Sequence, residues 1–544
     1  MPVVRVELTR FSKMVGADRK TILDRLPYIG LDIEGIAGGS VRVEYSPNRP
    51  DLGTDFGIAR SLRGLLGKET GLPTFSTSPS KVTVSVDRRL SRVRPFIACC
   101  TAAGLRLDDE DVRQIISLQE DLHNGLGRKR RVVAIGLHDM DAITPPLSYK
   151  GVDADFSFVP LGARKETAIR SILSDTAEGR EYGGFFARTG PYPVIIDAKG
   201  TVLSFPPIIN GNATRVTTKT KRIFVDVTGT DRKAGEDVLA VLATTLAEAG
   251  GRLGSVSVRY PTGARVTPDL TPTEIPLDIP LIRSVLGMDL TYGEIVRCLS
   301  KSRIGVRGKK AQGPRYRIDL LHPVDMAEEV ALGYGVDSIV PLYPPSNRPG
   351  SFDAFEEFLD STSTIMAGSG FIEMMTFELT DEASLYSKFQ RASDGKLKVL
   401  DPKTLEHSVL RDSVLPSLMA SLSGNVRSDY PQRVFEIGRV YNRTGDGVHE
   451  SWHLGGLVAG SQATFTEAKM YLEAYCRVIG GMVLTAQQGQ HWAFDEGRCA
   501  IASVGGTKLG PVGEVKVEAI DAFGIGVPIS GFEIDLSELH ELLK

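Results

Sequence analysis

Leu203-Ser-Phe-Pro-Pro-Ile-Ile-Asn210, continuing through Thr217-Thr-Lys-Thr-Lys221 to Phe224-Val-Asp-Val-Thr-Gly-Thr-Asp231, is the stretch on which the reading of this sequence turns. In an extended strand successive side chains alternate between faces, so Phe224, Asp226 and Thr228 share one face while Ile223, Val225 and Val227 share the other. The aliphatic face is suited to burial, and the opposite face, with Ser204 from the preceding strand, can line a pocket. Asp226 and Thr228 can equally do no more than end the strand and cap the turn at Gly229.

Working outward, β-branched runs such as Arg131-Val-Val-Ala-Ile135 and Tyr192-Pro-Val-Ile-Ile-Asp197 alternate with helical patterns such as Glu236 to Ala249, which predicts a mixed α/β domain over 82–260. Residues 1–80 read as a small α/β domain with helices at Asp18 to Leu26 and Asp55 to Leu66, closed by the loop-like Phe75-Ser-Thr-Ser-Pro-Ser-Lys81. After a Thr, Pro and Gly-rich piece at Pro261 to Leu270, residues 270–341 predict a helix at Thr291 to Ser300, a strand at Arg315 to Leu321 and a helix from Asp325. The proline-rich run Pro341 to Pro349 reads as a linker, and 350–544 as a further α/β unit opening on a helix at Phe352 to Met366. The whole is an α/β and α+β multidomain chain.

With 544 residues, 42% of them hydrophobic and 24% charged, the chain can bury several cores, and disorder is not its default. Lys and Arg total 64 against 67 acids, so the net charge of −3 offers no global attraction to nucleic acid or an anionic membrane, and any RNA contact must be local. Five cysteines, at 99, 100, 298, 476 and 499, form no Cys-x-x-Cys pair and fit a reducing compartment. The charged start and the absence of a long apolar run predict a soluble, cytoplasmic protein with no membrane span.

Three further stretches carry the identity of the chain. Glu44-Tyr-Ser-Pro-Asn-Arg-Pro-Asp-Leu52 with Gly57-Ile-Ala-Arg60 breaks a strand and starts a helix. Tyr316-Arg-Ile-Asp-Leu-Leu-His-Pro-Val-Asp-Met-Ala-Glu-Glu-Val330 with Gly333-Tyr-Gly335 gathers four carboxylates, Asp319, Asp325, Glu328 and Glu329. Acids in this number suit a hard cation such as Mg²⁺, while Asp325 and Glu328 can also form a capping box. The last stretch is Leu410-Arg-Asp-Ser-Val-Leu-Pro-Ser-Leu418, then Asn425, then Arg433-Val-Phe-Glu-Ile-Gly-Arg-Val-Tyr441.

In this order the four stretches resemble the β chains of phenylalanine–tRNA ligases of the archaeal and eukaryotic cytosolic type. The resemblance implies an N-terminal small α/β domain, a mixed α/β tRNA-editing domain, a helical DNA-binding-like domain and an antiparallel-sheet domain that is a degenerate relative of the class II synthetase core. It implies a ligase subunit that works with an α chain, as an α2β2 tetramer, on tRNA(Phe), with ATP used by the assembled enzyme and Mg²⁺ held by Asp319, Asp325, Glu328 and Glu329 at the contact with the α chain. A buried carboxylate would tell tyrosine from phenylalanine by its extra hydroxyl, because an unpaired buried polar group costs about 1–3 kcal/mol. Ser204, Asp226 and Thr228 are then expected to recognise misattached tyrosine and position a hydrolytic water.

The last domain departs from a working class II core. The usual second motif is Phe-Arg-x-Glu, whereas here the order is Arg433-Val-Phe-Glu436, and no arginine follows Arg498, although charge developing on ATP must be met by fixed cations. The expectation is a structural domain that forms no aminoacyl-adenylate, with a strand at Gly531-Phe-Glu-Ile-Asp535 lacking its phosphate-binding charge. Arg128-Lys-Arg-Arg131 reads as a solvated basic loop or a tRNA phosphate contact, His138 as a structural histidine, and Lys219, Lys221 and Arg222 as better placed for the tRNA end. A free-standing hydrolase of misacylated tRNA and a noncatalytic RNA-binding scaffold are the rival readings.

Overall fold

Residues 223–229, which the alternation assigns to one buried and one pocket-lining face, form the middle of a strand, Arg222–Gly229, hydrogen-bonded in antiparallel register to Phe96–Ala103 on one side and to Val133–Asp139 on the other. Both of its faces are buried. Ile223, Val225 and Val227 pack on Val238, Leu242 and Leu246 of the helix Arg232–Glu248, and Phe224 packs with Leu203 and Tyr149 on the opposite face. Asp231 starts that helix, its carboxylate accepting the N–H of Ala234 at 2.9 Å.

A computed structural model of the chain describes residues 2–186, 190–343, 349–393, 395–445 and 447–544. It divides into two units, Met1–Leu342 and Tyr343–Lys544. The expected linker Pro341 to Pro349 falls at this division, and its residues 344–348 lie outside the described residues.

Within the first unit, a three-stranded sheet places Ser40–Tyr45 between Val3–Glu7 and Leu31–Ala37, covered by helices that include Asp55–Leu65. The large sheet runs Ile209–Asn210, Val202–Phe205, Tyr192–Ile196, Leu147–Val152, Thr77–Val86, Arg252–Tyr260, Phe96–Ala103, Arg222–Gly229, Val133–Asp139, with Gly263–Thr267 added to Arg252–Tyr260. Among the described residues its parallel pairings are those of Thr77–Val86 with Leu147–Val152 and with Arg252–Tyr260. A third sheet of three short strands carries the helices Ile279–Leu286, Tyr292–Lys301 and Asp325–Tyr334.

Two expectations are corrected, at Phe75 to Lys81 and at Arg315 to Leu321. The serine-rich Phe75 to Lys81 is not a boundary loop, because Thr77–Val86 is a strand whose start pairs with Leu253 and Gly254, so the backbone groups of this segment are taken up by the large sheet. The Thr, Pro and Gly-rich segment after Tyr260 holds the hairpin strand Gly263–Thr267. Arg315 to Leu321 is not a strand: the N–H of Arg317 bonds back to Pro314 O in a turn. Tyr316 and Arg317, consecutive in sequence, both go inward, Tyr316 under the Arg60 guanidinium at 3.7 Å and Arg317 into an ion cluster.

The second unit is built on a seven-stranded sheet, ordered Ile372–Glu373, Gln432–Thr444, Gly447–Ala459, Ile529–Asp535, Thr507–Val515, Phe494–Val504, Leu484–Gln488. Apart from the short first strand, its pairings are antiparallel. The helices Ala354–Gly368 and Phe465–Gly480 cover one core, and Leu415–Gly424 a second. No helix among the described residues is long and apolar enough to cross a membrane, and all five cysteines are buried and free.

Candidate functional site

The outermost strands of the large sheet face a common cavity of about 690 Å³, lined by Gly136 and Leu137 from one edge and by Ser204 to Gly211 from the other. The helix Asp109–Asn124 closes it with Val112, Ile115, Ile116 and Gln119. Its inner end is polar. Asp226 is 1% exposed, and its Oδ2 lies 2.8 Å from His138 Nε2, while His138 Nδ1 lies 2.8 Å from Thr214 Oγ1. Gly136, paired directly opposite Asp226, is what leaves room for this bond. Ser204 is 2% exposed, and its buried hydroxyl has no hydrogen-bond partner. An unpaired buried hydroxyl and a buried carboxylate that line one cavity can receive a ligand hydroxyl.

Thr228 does not reach the cavity. Its hydroxyl accepts from Arg94 Nε at 2.9 Å, and its carbonyl from Arg94 Nη2 at 2.8 Å. Burial lowers the Arg94 guanidinium to about 10, against the opposing pull of Tyr149 and Asp226. Arg94 also donates to the carbonyls of Arg130 and Arg131.

The basic run is not simply a solvated loop. Arg128, Lys129 and Arg130 have φ of +47°, +53° and +63°, a left-handed turn that costs energy at non-glycine positions. The turn folds Arg130 back onto the cavity wall, where it donates to Glu120 at 3.1 Å and to the carbonyls of Pro207 and Ile208, and lies 4.8 Å from the Tyr182 ring centroid. Hydrogen bonding from His123, with the nearby Arg130 charge, holds the Glu120 carboxyl below its usual range. Arg222 is tied to Asp141, whereas Lys219 and Lys221 are exposed.

The four carboxylates proposed for a cation do not assemble. The Arg317 guanidinium sits between two of them, bonded to Asp319 Oδ1 at 2.9 Å, to Asp319 Oδ2 at 2.7 Å and to Glu329. Asp325 begins the helix but forms no capping box. Lying one residue inside, it reaches back to accept the N–H groups of Leu321 and His322, each at 2.7 Å. Glu328 is exposed. Among the described residues no three His, Cys, Asp or Glu side chains gather to hold a metal, and this arrangement does not fit Mg²⁺, because a guanidinium already fills the space between two of the ligands.

In the second unit the motif residues are spent on one another. Arg411 and Glu436, each 2% exposed, form an ion pair at 2.6 Å, and Thr376 donates its hydroxyl to the same carboxylate at 2.8 Å. Arg433 turns away toward Glu467 at 3.7 Å. The strand Ile529–Asp535 is present and carries Glu533 and Asp535, which hold His453 at 2.7 and 3.7 Å. Burial opposes the charge on His453, but the hydrogen bonds to Asp535 and Glu533 outweigh it and raise the imidazole to about 9.

Comparison with known proteins identifies this architecture. Residues 339–536 match the model of the phenylalanyl tRNA synthetase beta chain CLM domain, and residues 275–336 that of the tRNA synthetase B5 domain. The chain is 40% identical over 548 residues to the phenylalanine–tRNA ligase beta subunit of Archaeoglobus fulgidus, covering 99% of each. The chain belongs to the phenylalanine–tRNA ligase beta-subunit family. The Methanosarcina acetivorans beta subunit is 37% identical, again over 99% of each chain. An N-terminal fragment of the Pyrococcus horikoshii beta subunit, a crystal structure, superposes with a TM-score of 0.59 at 37% identity, over 61% of this chain and 99% of that one.

Against the expectations for this beta-subunit relative, the fold brings Ser204 and Asp226 to one cavity, leaves Thr228 behind the strand, and disperses the carboxylates at 319, 325, 328 and 329. Sequence reasoning missed Thr214 and Gly136. Gly136 in a β-rich run was the available signal, since a glycine inside a strand marks a close approach. His138 is the satisfied histidine that was expected, with both ring nitrogens partnered.

Proposed function

We propose that this chain works with an alpha subunit to attach phenylalanine to tRNA(Phe) in the cytoplasm, as a heterotetramer that consumes ATP, and that its own chemistry is hydrolysis of tyrosyl-tRNA(Phe) in the cavity at Asp226. The observation that carries the reading is the pairing of a buried, anchored carboxylate with an unpartnered buried hydroxyl in a cavity otherwise largely apolar. Tyrosine would place its phenol against Asp226 and Ser204, while phenylalanine would leave the Ser204 hydroxyl without a partner. The cavity is within the range of about 300–1,000 Å³ usual for small-molecule sites and can take an aminoacyl-adenosine end.

In this arrangement His138, fixed by Thr214, orients the Asp226 carboxylate, and Thr228 acts as a positioning residue through Arg94. Fixed dipoles at the inner end would hold a water against the ester carbonyl, which is where the rate gain arises. ATP chemistry is assigned to the alpha chain, because the second unit's Arg411 is neutralised by Glu436 and its last strand is acidic. A magnesium ion on Asp319, Asp325, Glu328 and Glu329 enters the proposal only for the assembled enzyme, since it requires Arg317 to withdraw.

The test is deacylation of preformed tyrosyl-tRNA(Phe) by the assembled enzyme with Asp226→Ala. Loss of hydrolysis with phenylalanine attachment retained is the expected result. Hydrolysis at the wild-type rate would remove Asp226, and with it the cavity, from the reaction.

A further inference from the structure

The cavity is graded from its buried end to its mouth. Asp226 and Ser204 at the inner end are 1% and 2% exposed, whereas Arg215, also in the lining, is exposed. Two arginines line the cavity, and they are not equivalent. Arg130 is bound to Glu120 and to two backbone carbonyls, while the Arg215 guanidinium has no partner among the described residues. Thr217 and Thr218, both exposed, line the mouth beside Arg215, and the Thr218 hydroxyl is likewise unpartnered among the described residues.

The segment that carries Arg215 is locally basic in a chain of net charge −3. Between Asp197 and Asp226 there is no Asp or Glu, and there are five cations: Lys199, Arg215, Lys219, Lys221 and Arg222. Arg222 is neutralised by Asp141, so the cations this segment keeps close to Arg215 are Lys219 and Lys221, while Asp109 and Glu178 line the cavity from its helical side. A free guanidinium with adjacent hydroxyl donors matches a phosphodiester, which takes charge-assisted hydrogen bonds from a planar fork.

We propose that Arg215, with Thr218, forms a phosphodiester subsite at the mouth of the cavity, which takes the last internucleotide phosphate of the charged tRNA while its aminoacyl end enters toward Asp226. The subsite rests on the editing reading given above and specifies how that site selects a nucleic-acid ester over a free one. Binding energy gathered at the phosphate, remote from the ester, is used to place the carbonyl. Thr217 keeps the turn in shape, its hydroxyl accepting the N–H of Lys219 at 3.2 Å, and its own N–H donating to Thr220 Oγ1 at 3.1 Å.

The experiment compares two esters in the assembled enzyme: tyrosyl-tRNA(Phe), and tyrosyl-adenosine, which has no phosphate. Wild type is expected to show a lower KM for the tRNA ester. Arg215→Ala narrows the ratio of the two KM values roughly tenfold by raising the first, and Arg215→Lys recovers part of it. The slope of log kcat/KM against log salt for tyrosyl-tRNA becomes shallower by about 0.7 in Arg215→Ala, the change expected when one phosphate of a single strand is no longer neutralised. A KM ratio and salt slope equal to wild type, or an equal loss on both esters, would overturn the subsite. Failure of wild-type enzyme to hydrolyse either ester would instead refute the editing reading itself.

Discussion

Replacing Gly136 by alanine perturbs the cavity without replacing any of its polar side chains. A Cβ at this position would lie 2.1 Å from Asp226 Oδ2 and 2.5 Å from His138 Nε2, which are the two atoms joined at 2.8 Å. The φ of Gly136 is not in the left-handed region, so the backbone tolerates alanine and the cost is steric. The methyl must drive the carboxylate off the imidazole. Loss of a hydrogen bond to a charged group costs about 1.5–3 kcal/mol. Overpacking in a closed interior adds about 1–3 kcal/mol, so the unit should lose roughly 2.5–6 kcal/mol of stability. If the displaced carboxylate forfeits only the hydrogen-bond share in the transition state, deacylation of tyrosyl-tRNA falls about 10- to 150-fold. The assay is single-turnover deacylation alongside urea unfolding, with phenylalanine attachment measured in the same preparation. Gly235→Ala is the control, because its added Cβ meets nothing nearer than Val227 at 3.9 Å. Gly136→Ala hydrolysing within about twofold of wild type, with the unfolding midpoint unmoved, would refute the assignment of that carboxylate.

Three other outcomes follow from the same geometry. Glu436→Gln leaves Arg411 buried without its anion and should destabilise the second unit by about 3–5 kcal/mol, read as an earlier unfolding transition, and an unchanged midpoint would contradict the ion pair. His453 is raised from its ordinary value to about 9, so its stabilising contribution is full below pH ~6.5 and disappears as pH rises through 9. His453→Gln should therefore flatten the loss of stability across that window, and an identical pH profile would exclude the contribution. The isolated chain should bind no Mg²⁺ through Asp325 and Glu329, so an Asp325→Ala, Glu329→Ala double variant would match wild type in metal titration, and loss of a stoichiometric ion would show that Arg317 moves aside.

The sequence carried the central strand clearly, because Ile223 to Gly229 alternates and both of its faces found partners. The proline-rich run Pro341 to Pro349 falls where the chain divides into its two units. Ser204 was readable as a site residue only together with the resemblance, since its distance from Asp226 in the chain gives no hint that the sheet brings them to one cavity. The place of Thr228 was not legible, because alternation gives a face but not what covers it, and Arg94, 134 residues earlier in the chain, donates to its hydroxyl. The surroundings of the carboxylates at 319 to 329 were no more legible. Spacing places acids near one another, but it does not reveal that Arg317 lies between two of them. The Ser-rich segment Phe75 to Lys81 was misassigned because composition speaks for turns, while pairing with Leu253 and Gly254 decided for a strand.

On the proposed function one enzyme's labour is divided, with hydrolysis of the misattached amino acid in this chain and its activation on the alpha subunit. The most direct measurement is ATP–pyrophosphate exchange with phenylalanine by this chain alone and with its alpha subunit restored, tyrosyl-tRNA deacylation being followed in parallel. Exchange that appears only with the alpha subunit, together with deacylation that requires Asp226, is the predicted result. Exchange by the isolated chain would contradict it, because it would mean that a domain whose Arg411 is neutralised and whose last strand is acidic can still hold the phosphates of ATP.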